Sequence, residues 1–269
     1  MSNKIRLDLH LLTKGFADSR QKAQQLIRSG QVRDLNGKLL DKPGQEVPKG
    51  LEVKVKESPR FVSRGGEKLS FALENLPVLI DKRVCLDAGI STGGFTDCLL
   101  QNGAKRVYGV DVGYGQIAWS LRNDSRVTLF ERTNLRYVTP EALYETNNEW
   151  ASLAVADLSF ISLKLVIPVI RSLLKGNDSE ALLLVKPQFE VGKERVGKGG
   201  VVRNINDHID SLNGVIDCAK SIDWDVKALL PSPLTGPAGN HEYLIWLGIS
   251  KTDYDPDLKA IVELTLSEN

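Results

Sequence analysis

The stretch Val84-Cys85-Leu86-Asp87-Ala88-Gly89-Ile90-Ser91-Thr92-Gly93-Gly94-Phe95-Thr96 constrains the fold of this chain more than any other. An apolar run of strand length ends in an acid, and a glycine-rich turn then opens a helix. Such a joint brings bare backbone to the carboxyl edge of a parallel sheet, where a ligand can approach closely. The pattern is Asp-x-Gly-x-x-x-Gly-Gly rather than Gly-x-Gly-x-x-Gly, which argues against a dinucleotide pyrophosphate site. Asp87, Gly89, Ser91, Thr92, Gly93, Gly94 and Phe95 are therefore candidate ligand contacts. Further along, Val110-Asp111 closes a second apolar run, where one carboxylate can accept hydrogen bonds from two ribose hydroxyls. Asn134, soon after a third run, either faces the same ligand or serves an ordinary turn.

Short apolar runs alternate with helical stretches from there on: 83–88, 107–111, 127–131, 152–157, 181–186, 226–230 and 243–248. This βαβ rhythm predicts an α/β domain, a mostly parallel seven-stranded sheet with helices on both faces. No stretch offers the roughly 18 uninterrupted apolar residues that a membrane span needs, and the first residues carry no secretory signal, so a cytoplasmic protein is expected. Cys85, Cys98 and Cys218 are odd in number and lack any CxxC or Cys/His cluster. They read as buried small apolar groups, and no metal site is expected.

The formal net charge of +1 conceals an asymmetry. Residues 1–60 hold 13 Lys and Arg against 7 Asp and Glu, leaving 22 basic and 27 acidic residues in the remainder. That split suggests a polyanion-binding module joined to a domain of different purpose, although a merely solvated basic surface would give the same counts. Asp18 with Gln21 reads as a capping box, Ala23, Leu26 and Ile27 as an apolar stripe, and Gly30 as a helix stop. Asn36-Gly37 marks a turn between 32–35 and 38–40, and Leu51 to Val55 alternates like a strand. The first element stays open, since Ile5, Leu7, Leu9 and Leu11 alternate as in a strand while Leu7, Leu11 and Leu12 fit a helix face.

Arg6-Leu7-Asp8, Ser19-Arg20, Ala23 with Leu26-Ile27, Gly30-Gln31-Val32 and Asn36-Gly37 resemble an S4 domain over residues 1–58. The resemblance implies a small α+β RNA-binding module, with Arg6, Arg20, Lys22 and Arg28 as candidate RNA contacts. A linker at 59–64 would lead into a domain at 65–269, with Arg64 at its threshold as a further RNA contact. The Asp87–Gly94 turn is similar to the first motif of class I methyltransferases, which implies a Rossmann-like fold and S-adenosylmethionine as cofactor.

Gly192 to Lys198 imitates the start of a P-loop, but Gly199 stands where a Ser or Thr must bind magnesium, so nucleotide hydrolysis is not expected. The segment 187–204, with Lys193, Arg195, Lys198 and Arg203 among glycines, reads instead as a mobile basic loop that closes over RNA, or as a plain surface loop.

Asp157 and Lys186 each end an apolar run on the ligand-binding edge, a costly place for charge unless it is paired or used. Lys68 and Glu242 are unremarkable alone. In order, however, Lys68, Asp157, Lys186 and Glu242 resemble the Lys-Asp-Lys-Glu tetrad of FtsJ-like RNA ribose 2'-O-methyltransferases. With Ser63-Arg64-Gly65-Gly66, Lys186-Pro187-Gln188-Phe189-Glu190 and the 197–203 segment, the chain closely resembles the TlyA family. That family implies methylation of a cytidine 2'-hydroxyl in ribosomal RNA, and its members are often labelled haemolysins. Proton removal would then fall to Lys186, on the expectation that burial near a second lysine leaves part of it neutral. Lys68 would steady the oxyanion, Asp157 and Glu242 would orient the lysines, and Asp157 would also lie near the cofactor.

Base methylation is the nearest enzymatic rival, but Asp157-Leu158-Ser159-Phe160 lacks the prolines of the amino-methyltransferase motif. Outside methyl transfer, the competing readings are a pore-forming haemolysin and a non-catalytic RNA chaperone. Ribosomal RNA or a ribosomal subunit is the expected partner, with a monomer as the default.

Overall fold

The computed structural model describes residues 3–56, 59–144, 149–176 and 178–267, so Ser58 at the expected domain end lies outside the described residues. The chain divides into two compact units, Met1–Pro59 and Arg60–Asn269.

In the first unit, β1 (Lys4–Arg6) runs directly into α1 (Leu7–Thr13), so the ambiguous opening is strand and helix in succession. The helix α2 (Arg20–Arg28) starts one residue later than the Asp18–Gln21 box implies. Ser19 is extended at the cap position, and its Oγ accepts the Lys22 N–H at 3.1 Å. Gly30, at φ +72°, closes the helix as expected. Then come β2 (Val32–Asp34), β3 (Glu46–Pro48) and β4 (Val53–Val55). The Asn36-Gly37 turn forms, with Asp34 Oδ1 accepting the Asn36 and Lys38 N–H groups. Its second arm makes only an isolated bridge, Arg33 to Leu39, and β2 pairs antiparallel with β4 instead. Leu7 and Leu11 of α1 meet Ala23, Leu26 and Ile27 of α2 over Val32, Val47 and Val53, the core of this unit.

The second unit follows the βαβ rhythm: α3 (Arg64–Asn75), β5 (Val84–Ala88), α4 (Gly94–Gln101), β6 (Arg106–Val110), α5 (Trp119–Arg122) and β7 (Val127–Phe130). It continues with α6 (Pro140–Tyr144), β8 (Leu153–Ala156), α7 (Ile167–Ser172), β9 (Glu180–Val185), α8 (Pro187–Glu190), α9 (Ile205–Lys220), β10 (Asp225–Pro231), β11 (Tyr243–Gly248) and α10 (Leu258–Ser267). All seven expected strands form one sheet in the order β10-β11-β9-β8-β5-β6-β7, with β11 antiparallel to both neighbours and the rest parallel.

Side chains alternate between the two faces as strand geometry requires. Leu153, Val155, Leu182 and Leu184 pack with α3 and α4 residues, while Ala154, Ala156, Leu183 and Val185 pack with α7 and α9. Phe61, in the expected linker, belongs to this core and lies across Gly66, where an added Cβ would run into its ring. Cys85 and Cys98 are buried, but Cys218 is only half-buried, because its position on α9 faces the Lys164 carbonyl at the surface edge. The chain runs outward from β5 through β6 to β7, then crosses back to β8 on the other side of β5. That reversal opens a crevice at the carboxyl ends of β5 and β8, where Asp87 and Asp157 stand.

Candidate active site

One cleft of about 1650 Å³ occupies this crevice. Small-molecule pockets are roughly 300–1,000 Å³, so it has room for more than one ligand. Its first wall is the turn after β5. Gly89 and Gly93 have φ of +95° and +96°, and side chains there would collide with Leu158 and Leu121. Ser91, a residue with a side chain, is held at φ +48°, a sparsely populated conformation that its surroundings must enforce. Part of that enforcement is its N–H, which donates to Asp111 Oδ2 at 2.8 Å.

Gly89, Ser91, Thr92, Gly94, Phe95, Asp111 and Asn134 all line the cleft. Asp87 lies beneath it, 1% exposed, and Gly93 is buried in the turn. Asp111 departs from its simplest expected role, because its Oδ1 and Oδ2 already accept the Gly113 and Ser91 N–H groups. Each oxygen keeps one lone pair, so the half-buried carboxylate ties two loops together and still offers acceptors. Asn134 serves a turn: its Oδ1 caps a short helix by accepting the Arg136 N–H at 3.1 Å.

Asp87 has one satisfied oxygen, which accepts the Thr96 hydroxyl at 2.7 Å, and one buried oxygen, Oδ1, with no partner. Burial, helped by the nearby Asp157 carboxylate, pushes its acid up to about 7. That leaves one unsatisfied acceptor buried beneath the turn, next to bare backbone.

The opposite wall carries the charged residues. Lys186 Nζ lies 2.6 Å from Asp157 Oδ1 and donates to Ser159 Oγ at 3.0 Å. Asp157 Oδ1 has no aligned hydrogen bond, so the pair is held by charge while Ser159 sets the direction. Lys68 Nζ donates to Glu242 Oε2 at 2.5 Å, with 8% and 1% of their side chains exposed. Each lysine thus has its own carboxylate. All four residues line the cleft.

Lys68 reaches it because α3 and α4 pack backbone to backbone at Gly66 and Gly94, where a Cβ on Gly94 would run into Ser63 Oγ and sit 2.8 Å from Gly66 N. Glu190 joins the two charged edges from behind: its oxygens accept the Ser162 hydroxyl at 2.5 Å and the Leu163 N–H at 2.7 Å. Between these anchors Phe160 is held at φ +64° and is 91% exposed, with its ring 5.2 Å from that of Phe189.

Ser159, Thr96, Phe160 and Glu190 are site residues that the sequence does not single out. Each lies in a quoted motif without a role assigned to it: Thr96 closes the glycine-rich stretch, Ser159 and Phe160 follow Asp157, and Glu190 closes the Lys186 motif.

The segment 187–204 is strapped, not loose. Arg195 is paired to Asp207 and Asp210, so its charge is consumed within the domain. The Val202 N–H donates to Asn240 Oδ1, and its carbonyl accepts from His208 Nε2, leaving Nδ1 to accept the Tyr243 hydroxyl. Burial pushes His208 down from its ordinary range, in keeping with this neutral tautomer. Lys193, Lys198 and Arg203 remain exposed. Arg64 is exposed at the cleft rim and donates to the Thr235 carbonyl at 3.0 Å. In the first unit, Arg6, Arg20, Lys22 and Arg28 are all at the surface. Among the described residues no group of three or more His, Cys, Asp or Glu is placed to hold a metal.

Comparison with known proteins places this geometry. Residues 61–249 match the FtsJ-like methyltransferase family, and residues 5–53 match the S4 domain. The chain is 45% identical to the 16S/23S rRNA (cytidine-2'-O)-methyltransferase TlyA of Mycobacterium tuberculosis, over 97% of this chain and 94% of that one. It is 38% identical to Hemolysin A of Brachyspira hyodysenteriae, over 89% and 98% of the two chains. A solved structure from Streptococcus thermophilus with a provisional hemolysin label superposes with a TM-score of 0.73 at 39% identity, covering 100% of this chain and 98% of that one.

Proposed function

Because the chain belongs to the FtsJ-like methyltransferase family, in its TlyA branch and with an S4 domain ahead of the catalytic fold, we propose that it methylates a ribose 2'-oxygen, that of a cytidine, in ribosomal RNA. The observation that carries the reading is the convergence of Lys68–Glu242 and Lys186–Asp157 on one cleft beside the Asp87–Gly94 turn.

The residues fit S-adenosylmethionine. Gly89 keeps the turn free of a side chain, Asp111 keeps free lone pairs, and buried Asp87 Oδ1 lacks a donor. When bound, the cofactor supplies an electrophilic sulfonium methyl group.

A ribose hydroxyl is a poor nucleophile, so its proton must be removed as the oxygen reacts. Lys186 is assigned that proton: its Nζ must first give up one of its own, and the positive charge restored as the hydroxyl reacts is met by Asp157, 2.6 Å away. Ser159 keeps Nζ aimed. Lys68, fixed by Glu242, stabilises the oxyanion.

Division into an RNA-gripping segment at 1–58, a linker at 59–64 and a catalytic domain at 65–269 belongs to the same proposal, as do the RNA contacts Arg6, Arg20, Lys22, Arg28, Arg64, Lys193, Lys198 and Arg203. Arg195 instead serves to hold its segment in place. The enzyme acts in the cytoplasm, where its substrate is, and as a monomer. No helix among the described residues is long and apolar enough to cross a membrane.

Mapping ribose methylation by mass spectrometry in ribosomal RNA from cells with and without this protein tests the reading. Loss of a 2'-O-methylcytidine is expected, and an unchanged pattern contradicts it.

A further inference from the structure

A carboxylate in the first unit has no part in the chemistry above, yet it is among the most heavily coordinated groups in the molecule. Asp8, at the start of α1, has no exposed side-chain surface. Its Oδ1 accepts from Arg6 Nε at 3.1 Å and from the Leu9 N–H at 2.9 Å. Its Oδ2 accepts from Arg6 Nη2, Arg20 Nε and Gln24 Nε2 at 3.0, 3.0 and 2.9 Å. Five donors hold the acid well below the usual carboxylate range, with the Arg6 hydrogen bond the largest cause, so it stays ionised despite burial.

The arginines look different from the outside. Their side chains are 44% and 51% exposed, and two guanidinium charges face one carboxylate. Arg20 engages through Nε alone, so neither terminal nitrogen is bonded to Asp8. Arg6 engages side-on through Nε and Nη2, with Gly44 close enough to its guanidinium that an added Cβ would lie 3.4–3.6 Å from Nη1, Nη2 and Cζ. Free arginines lose considerable rotamer entropy on gripping a ligand, and this arrangement has removed that cost in advance. The spare fork geometry of two fixed guanidinium groups matches the oxygens of a phosphodiester.

We infer that Asp8 is a positioning residue that holds Arg6 and Arg20 as a preorganised clamp for one phosphate of structured RNA. The inference rests on the reading that the S4 unit grips ribosomal RNA, and goes beyond it in assigning an acidic residue a favourable role in binding a polyanion.

The sign of one effect tests it. The full-length protein is titrated with fluorescently labelled, deproteinised ribosomal RNA over a range of salt concentrations. Asp8→Asn removes a negative charge, so bulk electrostatics alone predicts tighter binding with an equal or steeper salt dependence. The clamp predicts the opposite: a Kd raised about tenfold, and a salt slope reduced by about one as a phosphate contact is lost.

Arg20→Lys keeps the charge at a half-exposed site and leaves the core of the unit untouched, so it serves even where Asp8→Asn unfolds. It is expected to weaken binding similarly, because lysine has no Nε with which to be fixed. Binding by Asp8→Asn at or above the wild-type affinity, or wild-type affinity in Arg20→Lys, overturns the clamp. If Arg6→Ala and Arg20→Ala both bind RNA normally, what has failed is the underlying reading that this face grips RNA.

Discussion

Lys186 Nζ sits between Asp157 Oδ1 at 2.6 Å and Ser159 Oγ at 3.0 Å, so the residues that follow two adjacent parallel strands meet across the crevice. The carboxylate stabilises positive charge on the lysine, and the hydroxyl decides where the amine points. Asp157→Asn keeps the shape and removes the charge. Its single-turnover methyl-transfer rate is expected to fall by about 10²–10³, the range seen when one electrostatic stabiliser is removed from a water-poor site. A rate within a few-fold of wild type would remove Asp157 from the mechanism.

The buried Lys68–Glu242 pair makes a prediction about stability. Removing one partner of a buried pair strands the other charge, and costs about 3–5 kcal/mol. Glu242→Gln should therefore lower the free energy of unfolding in urea by about that amount. Adding Lys68→Met to the same chain should recover most of the loss without restoring methyl transfer, because the stranded charge is gone but the oxyanion stabiliser is too.

Asp87 predicts a pH dependence. Its ordinary value is 3.8, and burial raises it to about 7 in the folded protein, which therefore binds its proton more tightly than the unfolded chain does. Its contribution to stability is full below about pH 4, declines as pH rises towards about 7, and is flat above that. Asp87→Asn cannot titrate. The stability difference between wild type and Asp87→Asn, measured by urea unfolding from pH 4 to 8, should shift in favour of the variant as pH rises, by on the order of a few kcal/mol. A pH-independent difference would mean that Asp87 ionises freely.

Gly94→Ala tests whether the α3–α4 contact positions Lys68. A methyl group there meets Gly66 backbone nitrogen at 2.8 Å as well as Ser63 Oγ, so α3 must move. A stability loss of about 1–3 kcal/mol is expected, with methyl transfer reduced beyond what the unfolded fraction explains. Thermal unfolding and the rate of transfer by the folded protein read the two effects separately.

Features set by local patterns are legible in the sequence. Short apolar runs mark all seven strands, and an acid followed by Gly89, Gly93 and Gly94 marks the turn where the strand order reverses. Partnerships that depend on long-range adjacency are not legible. Ser159 touches Lys186 only because β8 and β9 are neighbours, and Glu190 reaches Ser162 for the same reason. The basic segment 187–204 looks loose in sequence because its anchors, Asp207, Asp210 and Asn240, lie outside it. At the start of α2, Asp18 and Ser19 are both good caps, and only the backbone path decides that Ser19 serves.

At the centre of the proposed mechanism is one cleft, lined by Lys186, in which the methyl donor is proposed to sit. Its most direct test is a paired measurement on Lys186→Ala: S-adenosylmethionine binding by calorimetric titration, and methyl transfer to ribosomal RNA under saturating cofactor. Cofactor affinity close to wild type is predicted, with transfer reduced by about 10²–10⁴, the contribution of a general base. Wild-type turnover by this variant would contradict it.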